Sequence, residues 1–246
     1  MPVDLTTRAS GPELMDDLTL ATDALRQNLD ELETINTWLG GYAPVLHALA
    51  RLRARFPTER PLRVADLGSG GDTLRHVARW ARKNGAAVEL TGIDANAFML
   101  EYAAAKSREY PEISYQQFDI FSPEFQTQPF DILTCSLFCH HFTDEELVTL
   151  LRQWQAQAGL AVVVNDLHRH WLAYHSIKWL TRLLGGSYLV RHDAPLSVAR
   201  AFRRADWVAL LARAGITRYE LRWCWAFRWQ LALYPTAGAA GQASGR

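Results

Sequence analysis

Val64-Ala65-Asp66-Leu67-Gly68-Ser69-Gly70-Gly71-Asp72 is a short apolar run that closes on a glycine-rich turn. Glycines between a strand and a helix let the backbone approach a ligand closely and aim amide N–H groups at it from a helix N-terminus. Asp72 or Thr73 can cap the helix that follows, which runs to about Lys83. A dinucleotide fingerprint needs a third glycine where Thr73 stands, and a phosphate-binding loop needs a lysine that is missing here. Asp66 and Asp72 bracket the turn and would repel a pyrophosphate. They suit a ligand that carries positive charge and an amino group.

Outward from this turn, strands and helices alternate. Ala87 to Ile93, Ile113 to Phe118, Phe130 to Cys135 and Leu160 to Val164 read as strands. Helices are expected from about Ala97 to Arg108 and from the capping box of Thr143 and Glu146 to Gln155. The almost purely β-branched run at Val162-Val163-Val164 fits a strand buried on both faces of a parallel sheet. This rhythm predicts an α/β fold, doubly wound around a mostly parallel seven-stranded sheet. Ile216 to Cys224 and Phe227 to Leu233 would close it as a terminal antiparallel hairpin.

Two further segments stand outside the alternation. Leu14, Leu18, Ala21, Leu25, Leu29 and Leu32 recur at helical spacing, so residues 1–60 read as an N-terminal helical arm, with residues 1–11 poorly ordered. His168 to Leu184 reads as an aromatic-rich helix. A loop through Pro195 and a helix from Val198 to Ala214 follow. Residues 168–197 are expected as a lid insertion in a main domain of residues 61–235, and residues 236–246 as a flexible tail.

Two carboxylates repeat the position of the turn. Asp94 ends the second strand and is placed to accept from ribose hydroxyls. Asp119 ends the third and can accept from an adenine amine, with Ile120 or Phe121 against the ring. Asp66 to Gly70, Asp94, Asp119-Ile120 and the strand Phe130-Asp131-Ile132-Leu133 together resemble the Rossmann-like, S-adenosylmethionine-dependent methyltransferases. The resemblance spans about residues 60–166. Gly71-Asp72 departs from it, where many members have a glycine one position later. The resemblance implies S-adenosyl-L-methionine as cofactor. It implies contacts from Asp66, Gly68, Gly70 and Gly71 to the methionine part, from Asp94 and Ala95 to the ribose, and from Asp119 and Ile120 to the adenine. Backbone from Cys135 to Leu137, Ser136 included, would close the site.

The acceptor is argued from residues. A phenol has an ordinary pKa near ~10 and needs a base, for which histidine is best suited at neutral pH. His140 and His141 follow the fourth strand, and His168 follows the fifth, all on the sheet edge where open α/β sheets place active sites. Asp166 is a further candidate base. Arg200, Arg203 and Arg204 read as a solvated helix face. No metal site is expected, because Cys135, Cys139, His140 and His141 crowd into one loop without a second cluster, and Asp166-His168-His170 reads as polar surface.

Composition narrows the partners. Twenty-six basic residues balance twenty-six acidic ones, which disfavours nucleic acid. Three cysteines without a C-x-x-C pair fit a reducing, cytoplasmic setting, and no apolar run is long enough to span a membrane. Trp171, Tyr174 and Trp179 fit a lid over an apolar aromatic acceptor, the alternative being a homodimer contact. The expected activity is O-methylation of a phenol, quinol or polyketide-like compound, a secondary-metabolism chemistry. Carbon or nitrogen acceptors, a non-catalytic cofactor-binding module and a nicotinamide oxidoreductase are the alternatives.

Overall fold

A computed structural model describes residues 3–16 and 23–236. Leu18, Ala21 and the tail beyond residue 236 lie outside the described residues. The arm comprises a 3-10 turn at Leu14–Asp16, α1 (Asp23–Trp38) and α2 (Ala43–Arg55). The alternating body runs β1 (Leu62–Leu67), α3 (Asp72–Lys83), β2 (Val88–Asp94), α4 (Ala97–Lys106), β3 (Ile113–Gln117), α5 (Pro123–Gln126), β4 (Ile132–Ser136), α6 (Asp144–Gln157) and β5 (Ala161–Leu167). Then come α7 (Trp171–Leu183), α8 (Tyr188–Arg200), α9 (Arg204–Arg213), β6 (Tyr219–Cys224) and β7 (Arg228–Leu233).

The seven strands lie in the order β3-β2-β1-β4-β5-β7-β6. β1 pairs in parallel with β2 and with β4, while β7 runs antiparallel to β5 and β6. The order reverses at β1, so the crevice beyond the carboxyl ends of β1 and β4 is the place for a ligand. Val162, Val163 and Val164 are fully buried because helices cover both faces of the sheet. Leu147, Trp154, Trp207 and Leu210 pack one face; Val45, Leu49, Leu74 and Val77 pack the other. The capping box of Thr143 and Glu146 starts α6.

Several boundaries differ from expectation. Neither Asp72 nor Thr73 caps α3; the cap is Gly71, at φ +81°. A Cβ there would stand 2.7 Å from that of Ala103, so the turn and its packing require glycine at this position. Residues 5–11 are not loose. Leu5 is buried, Ala9 N–H donates to the Ala199 carbonyl, and the carbonyl of Leu5 accepts from the buried Arg169. The expected loop at Pro195 is instead helical: the proline's fixed φ is compatible with a helix, although it forfeits an N–H bond and its ring crowds the carbonyl of Arg191. The break comes later, at Ala201–Arg203. There Phe202 N–H donates to the Leu167 carbonyl and Phe202 C=O accepts from Arg169 N–H, which holds the chain extended between α8 and α9.

Candidate active site

Three cavities open along the carboxyl edge. A volume of about 540 Å³ lies over the ends of β2 and β3, lined by Gly68, Asp94, Ala95, Asp119, Ile120 and Phe138. A smaller one of about 100 Å³ continues over the glycine turn, against Gly70, Asp72, Ser136, Asn165 and Arg228. A third, about 320 Å³ and mostly apolar, lies under α7 and α8, with Glu13, His140, His141 and Arg228 among its walls. Met15 and Leu137 border all three, and His141 borders both large ones. Leu137 holds φ +54°, an unfavourable conformation for a branched residue, and its N–H donates to the Asn165 carbonyl. That backbone forms the partition where the cavities meet.

The sequence-derived residues divide accordingly. Gly68, Asp94, Ala95, Asp119 and Ile120 face the large cavity; Gly70 and Ser136 face the small one. At Gly68 (φ +67°) a Cβ would stand 2.3 Å from the Phe138 ring, so no other residue fits. Asp94 Oδ1 accepts from Asn96 N–H. Burial raises its carboxyl to about 6. Asp66 borders none of these cavities. It lies behind the turn, where its Oδ1 accepts from Thr134 Oγ1 at 2.8 Å. Burial, with Asp72 and Asp94 nearby, raises it to about 7.

Asp66 therefore folds protonated and unfolds ionised near neutrality, so its stabilising contribution is complete below the ordinary carboxyl range and is lost as pH rises through about 7. Asp66→Asn is expected to melt above the ligand-free parent. The gap should widen by about 2.5–3 kcal/mol between about pH 5 and about pH 8, at ~1.4 kcal/mol per unit. Calorimetric melting at the two pH values checks this; a constant gap contradicts it.

On the acceptor side, the loop after β4 forms a 3-10 turn, Cys139–His141, that presents two imidazoles with ring centroids 4.4 Å apart. His140 Nδ1 donates to Asp166 Oδ1 at 2.7 Å, and the other oxygen of Asp166 accepts the His140 backbone N–H. Burial opposes the charge of Asp166, but the charge and hydrogen bond of His140 hold its carboxyl below the ordinary value. In the neutral imidazole this bond places the proton on Nδ1 and leaves a lone pair on Nε2, 3.6 Å from Glu13 Oε1. Burial raises Glu13 to about 7, against the opposing influence of His141, Ser197 and Arg200. His141 Nδ1 donates to Asp16 Oδ1 at 2.5 Å.

Three residues of this cluster, Glu13, Asp16 and Arg200, had no sequence signal. Asp16 meets His141 across 125 positions of chain and Arg200 across 184, while Arg200 reaches the histidine turn across 59 and 60. Arg200 is not a solvated face residue. It is buried, donates to the carbonyls of His140 and His141, and pairs with Asp16 at 2.6 Å. Asp193 on α8 accepts from Leu14 and Met15 N–H, and Ser197 Oγ donates to Glu13. The helix therefore clamps the arm over the histidine turn.

His168 goes elsewhere. Its Nδ1 accepts from the Trp223 indole, it packs on Trp229, and it borders none of the three cavities. Burial lowers it to about 4. Cys135 and Cys139 lie 3.5 Å apart, buried and apart from the imidazole contacts. Donor atoms of Glu13, His140 and His141 come within 4.8 Å of one another, a set that could hold a cation. Arg200 Nε already faces the same Glu13 oxygen at 3.9 Å.

The family described as methyltransferase domain matches residues 64–157, from β1 to the end of α6. No curated protein matches the chain. Among solved structures, the plantazolicin methyltransferase BpumL in complex with SAH superposes with TM-score 0.62 at 14% identity, covering 87% of this chain and 92% of that one. The CMeT domain of the citrinin polyketide synthase gives 0.58 at 15%, covering 76% of this chain and 50% of that one. The DszA carbon methyltransferase gives 0.57 at 14%, covering 78% and 52%. The chain spans about half the length of these last two.

Proposed function

We infer that this chain, which has the class I, Rossmann-like methyltransferase fold, is an S-adenosylmethionine-dependent methyltransferase of a small apolar acceptor, and that it methylates a phenolic or quinol oxygen. The observation that carries this reading is the meeting, at Leu137 and His141, of a carboxylate-bearing cavity with an apolar one that holds an imidazole oriented by a buried acid.

The donor side fits the chemistry of S-adenosylmethionine. Asp94 offers acceptors where a ribose presents donors, and Phe118, Ile120 and Phe121 supply apolar walls for a purine. The small cavity has an unusual feature. Arg228 is buried, two of its nitrogens have no hydrogen-bond partner among the described residues, and Asn36 Oδ1 takes a third. A buried guanidinium so under-satisfied favours a carboxylate, which the amino-acid end of the donor carries. Asp66, charged once a cationic ligand arrives, supports the turn from behind. The bound donor supplies an electrophilic methyl group.

The chain's own task is to align the acceptor and take its proton. His140 Nε2 is the base, held in tautomer and orientation by Asp166. Glu13, on the far side of that nitrogen, stabilises the imidazolium that forms. His141, fixed by Asp16 and bordering both large cavities, positions the acceptor oxygen at the partition. The walls from Ile35, Leu39, Ile177 and Leu180 exclude water and select an apolar body.

Incubation with methyl-labelled S-adenosylmethionine and a panel of alkyl phenols, quinols and β-dicarbonyl compounds tests the reading. Label on a phenolic oxygen is expected. Label on carbon would move the same base to a C–H acid, and no transfer to any member with intact donor binding would favour a binding module.

A further inference from the structure

Helix α7 is anomalous. Of its thirteen residues, Ala173 and Thr181 alone are buried. Trp171 and Trp179 are 61% and 60% exposed, and Leu183 is 80% exposed. The end of β6 adds Trp223 and the β6–β7 turn Trp225, the latter 76% exposed. The two groups are continuous. His170 stacks on Phe227 at 5.1 Å and approaches Trp171, and Trp223 stands edge-on to the same Phe227. Exposed tryptophan on this scale is costly in water and marks a surface made to be covered. The opposite side of α7 lines the acceptor cavity through Ala173, Ile177 and Leu180, and Trp225 lines it from the hairpin. The exposed aromatic surface therefore surrounds the acceptor cavity.

Charge decides what covers it. The chain as a whole is neutral, yet residues 167–192 contain no acidic residue, and none follows Glu220. Lys178, Arg182 and Arg191 are the charged residues of α7 and α8 in this stretch, and Lys178 lies over the Tyr174 ring; Arg222 pairs with Glu220 and faces α2. Asp30 and Glu31 of α1 face the end of α7 beside Thr181 and Leu184, but both are engaged: Glu31 accepts the Ser187 N–H at the start of α8, and Asp30 is bound by Tyr102 and Lys106. A symmetric dimer through this face would set its basic residues against their own copies. An anionic lipid surface offers what the face lacks, negative headgroups for the cations and an interfacial zone where tryptophan is favoured.

We propose that α7 and the β6–β7 turn dock on an anionic bilayer, and that the acceptor enters its cavity from that bilayer as a membrane-partitioned amphiphile. No helix among the described residues is long and apolar enough to cross a membrane, so the attachment is peripheral and reversible. The proposal rests on the methyltransferase reading for the nature of the acceptor, but docking is measurable without it.

The test is co-sedimentation of the protein with vesicles of phosphatidylcholine alone and of phosphatidylcholine with phosphatidylglycerol, with tryptophan emission read alongside. Binding to the anionic vesicles is expected, with a blue shift, weakening as salt screens the headgroups. Lys178→Glu/Arg182→Glu should lower partitioning by about tenfold or more, and Trp171→Ala/Trp179→Ala by about tenfold. Neither pair borders the cavities, so S-adenosylhomocysteine affinity should stay at the parent value. That control separates a failed docking proposal from a failed methyltransferase reading and from a misfolded variant. Absence of vesicle binding at low salt overturns the proposal. So does equal binding by both double variants, or a dimer in solution that both variants dissolve while vesicles are ignored.

Discussion

Asp166→Asn lowers methyl transfer by on the order of 10²- to 10⁴-fold while leaving S-adenosylhomocysteine affinity within about threefold of the parent. The reason is tautomeric. Asp166 accepts from His140 Nδ1, so the lone pair of Nε2 faces the cavity. An asparagine amide that donates to Nδ1 would move the imidazole proton to Nε2 and remove the base. With its nitrogen toward Nδ1 the carboxamide keeps the shape and its oxygen still accepts the His140 backbone N–H, at the cost of the Leu167 N–H contact that shares Oδ1. His140→Ala should lose a similar factor. The double variant should lose little more, because residues that act as one unit are not additive. Single-turnover rates with a chosen acceptor check this. Additive losses, or a loss carried wholly by donor affinity, would sink the base assignment.

Asp94→Ala weakens donor binding by roughly 10- to 100-fold, in line with ~1.5–3 kcal/mol for hydrogen bonds to a charged group. Asp94 also accepts the Asn96 N–H at the start of α4, so alanine removes a local brace as well as a ligand contact. Asp94→Asn separates the two. It can keep the brace and retains one acceptor, and should fall between parent and alanine. Asp119→Ala should weaken binding less, because the carboxylate lies nearer solvent and accepts from Phe121 N–H within its own turn.

The donor half of this site is written locally. Each of its residues ends a strand or opens a helix, so the glycine turn, Asp94 and Asp119 are legible once the alternation of strand and helix is recognised. The acceptor half is not. Glu13 and Asp16 belong to an arm whose helical spacing carries no hint of acid–base chemistry, and their meeting with His140 and His141 depends on Arg200 and Asp193 of α8. No periodicity encodes a contact between such distant segments. His168 shows the converse error. The end of β5 is the right edge for a parallel sheet, but β7 runs antiparallel beside it. His168 N–H donates to the Phe227 carbonyl, which turns the imidazole into the hairpin and away from the cavities. Arg200 resembles its neighbours Arg203 and Arg204 in sequence and differs from them because the arm closes over it.

The loop with Gly68, Gly70 and Gly71 carries the central claim, that this α/β crevice takes S-adenosylmethionine rather than a dinucleotide. Isothermal titration of the purified protein with S-adenosylhomocysteine and, separately, with NAD tests it most directly. The account predicts saturable binding of S-adenosylhomocysteine that Asp94→Ala weakens, and no heat from NAD. Binding of NAD without S-adenosylhomocysteine would contradict it, and would make the acidic crevice a site for hydride rather than methyl transfer.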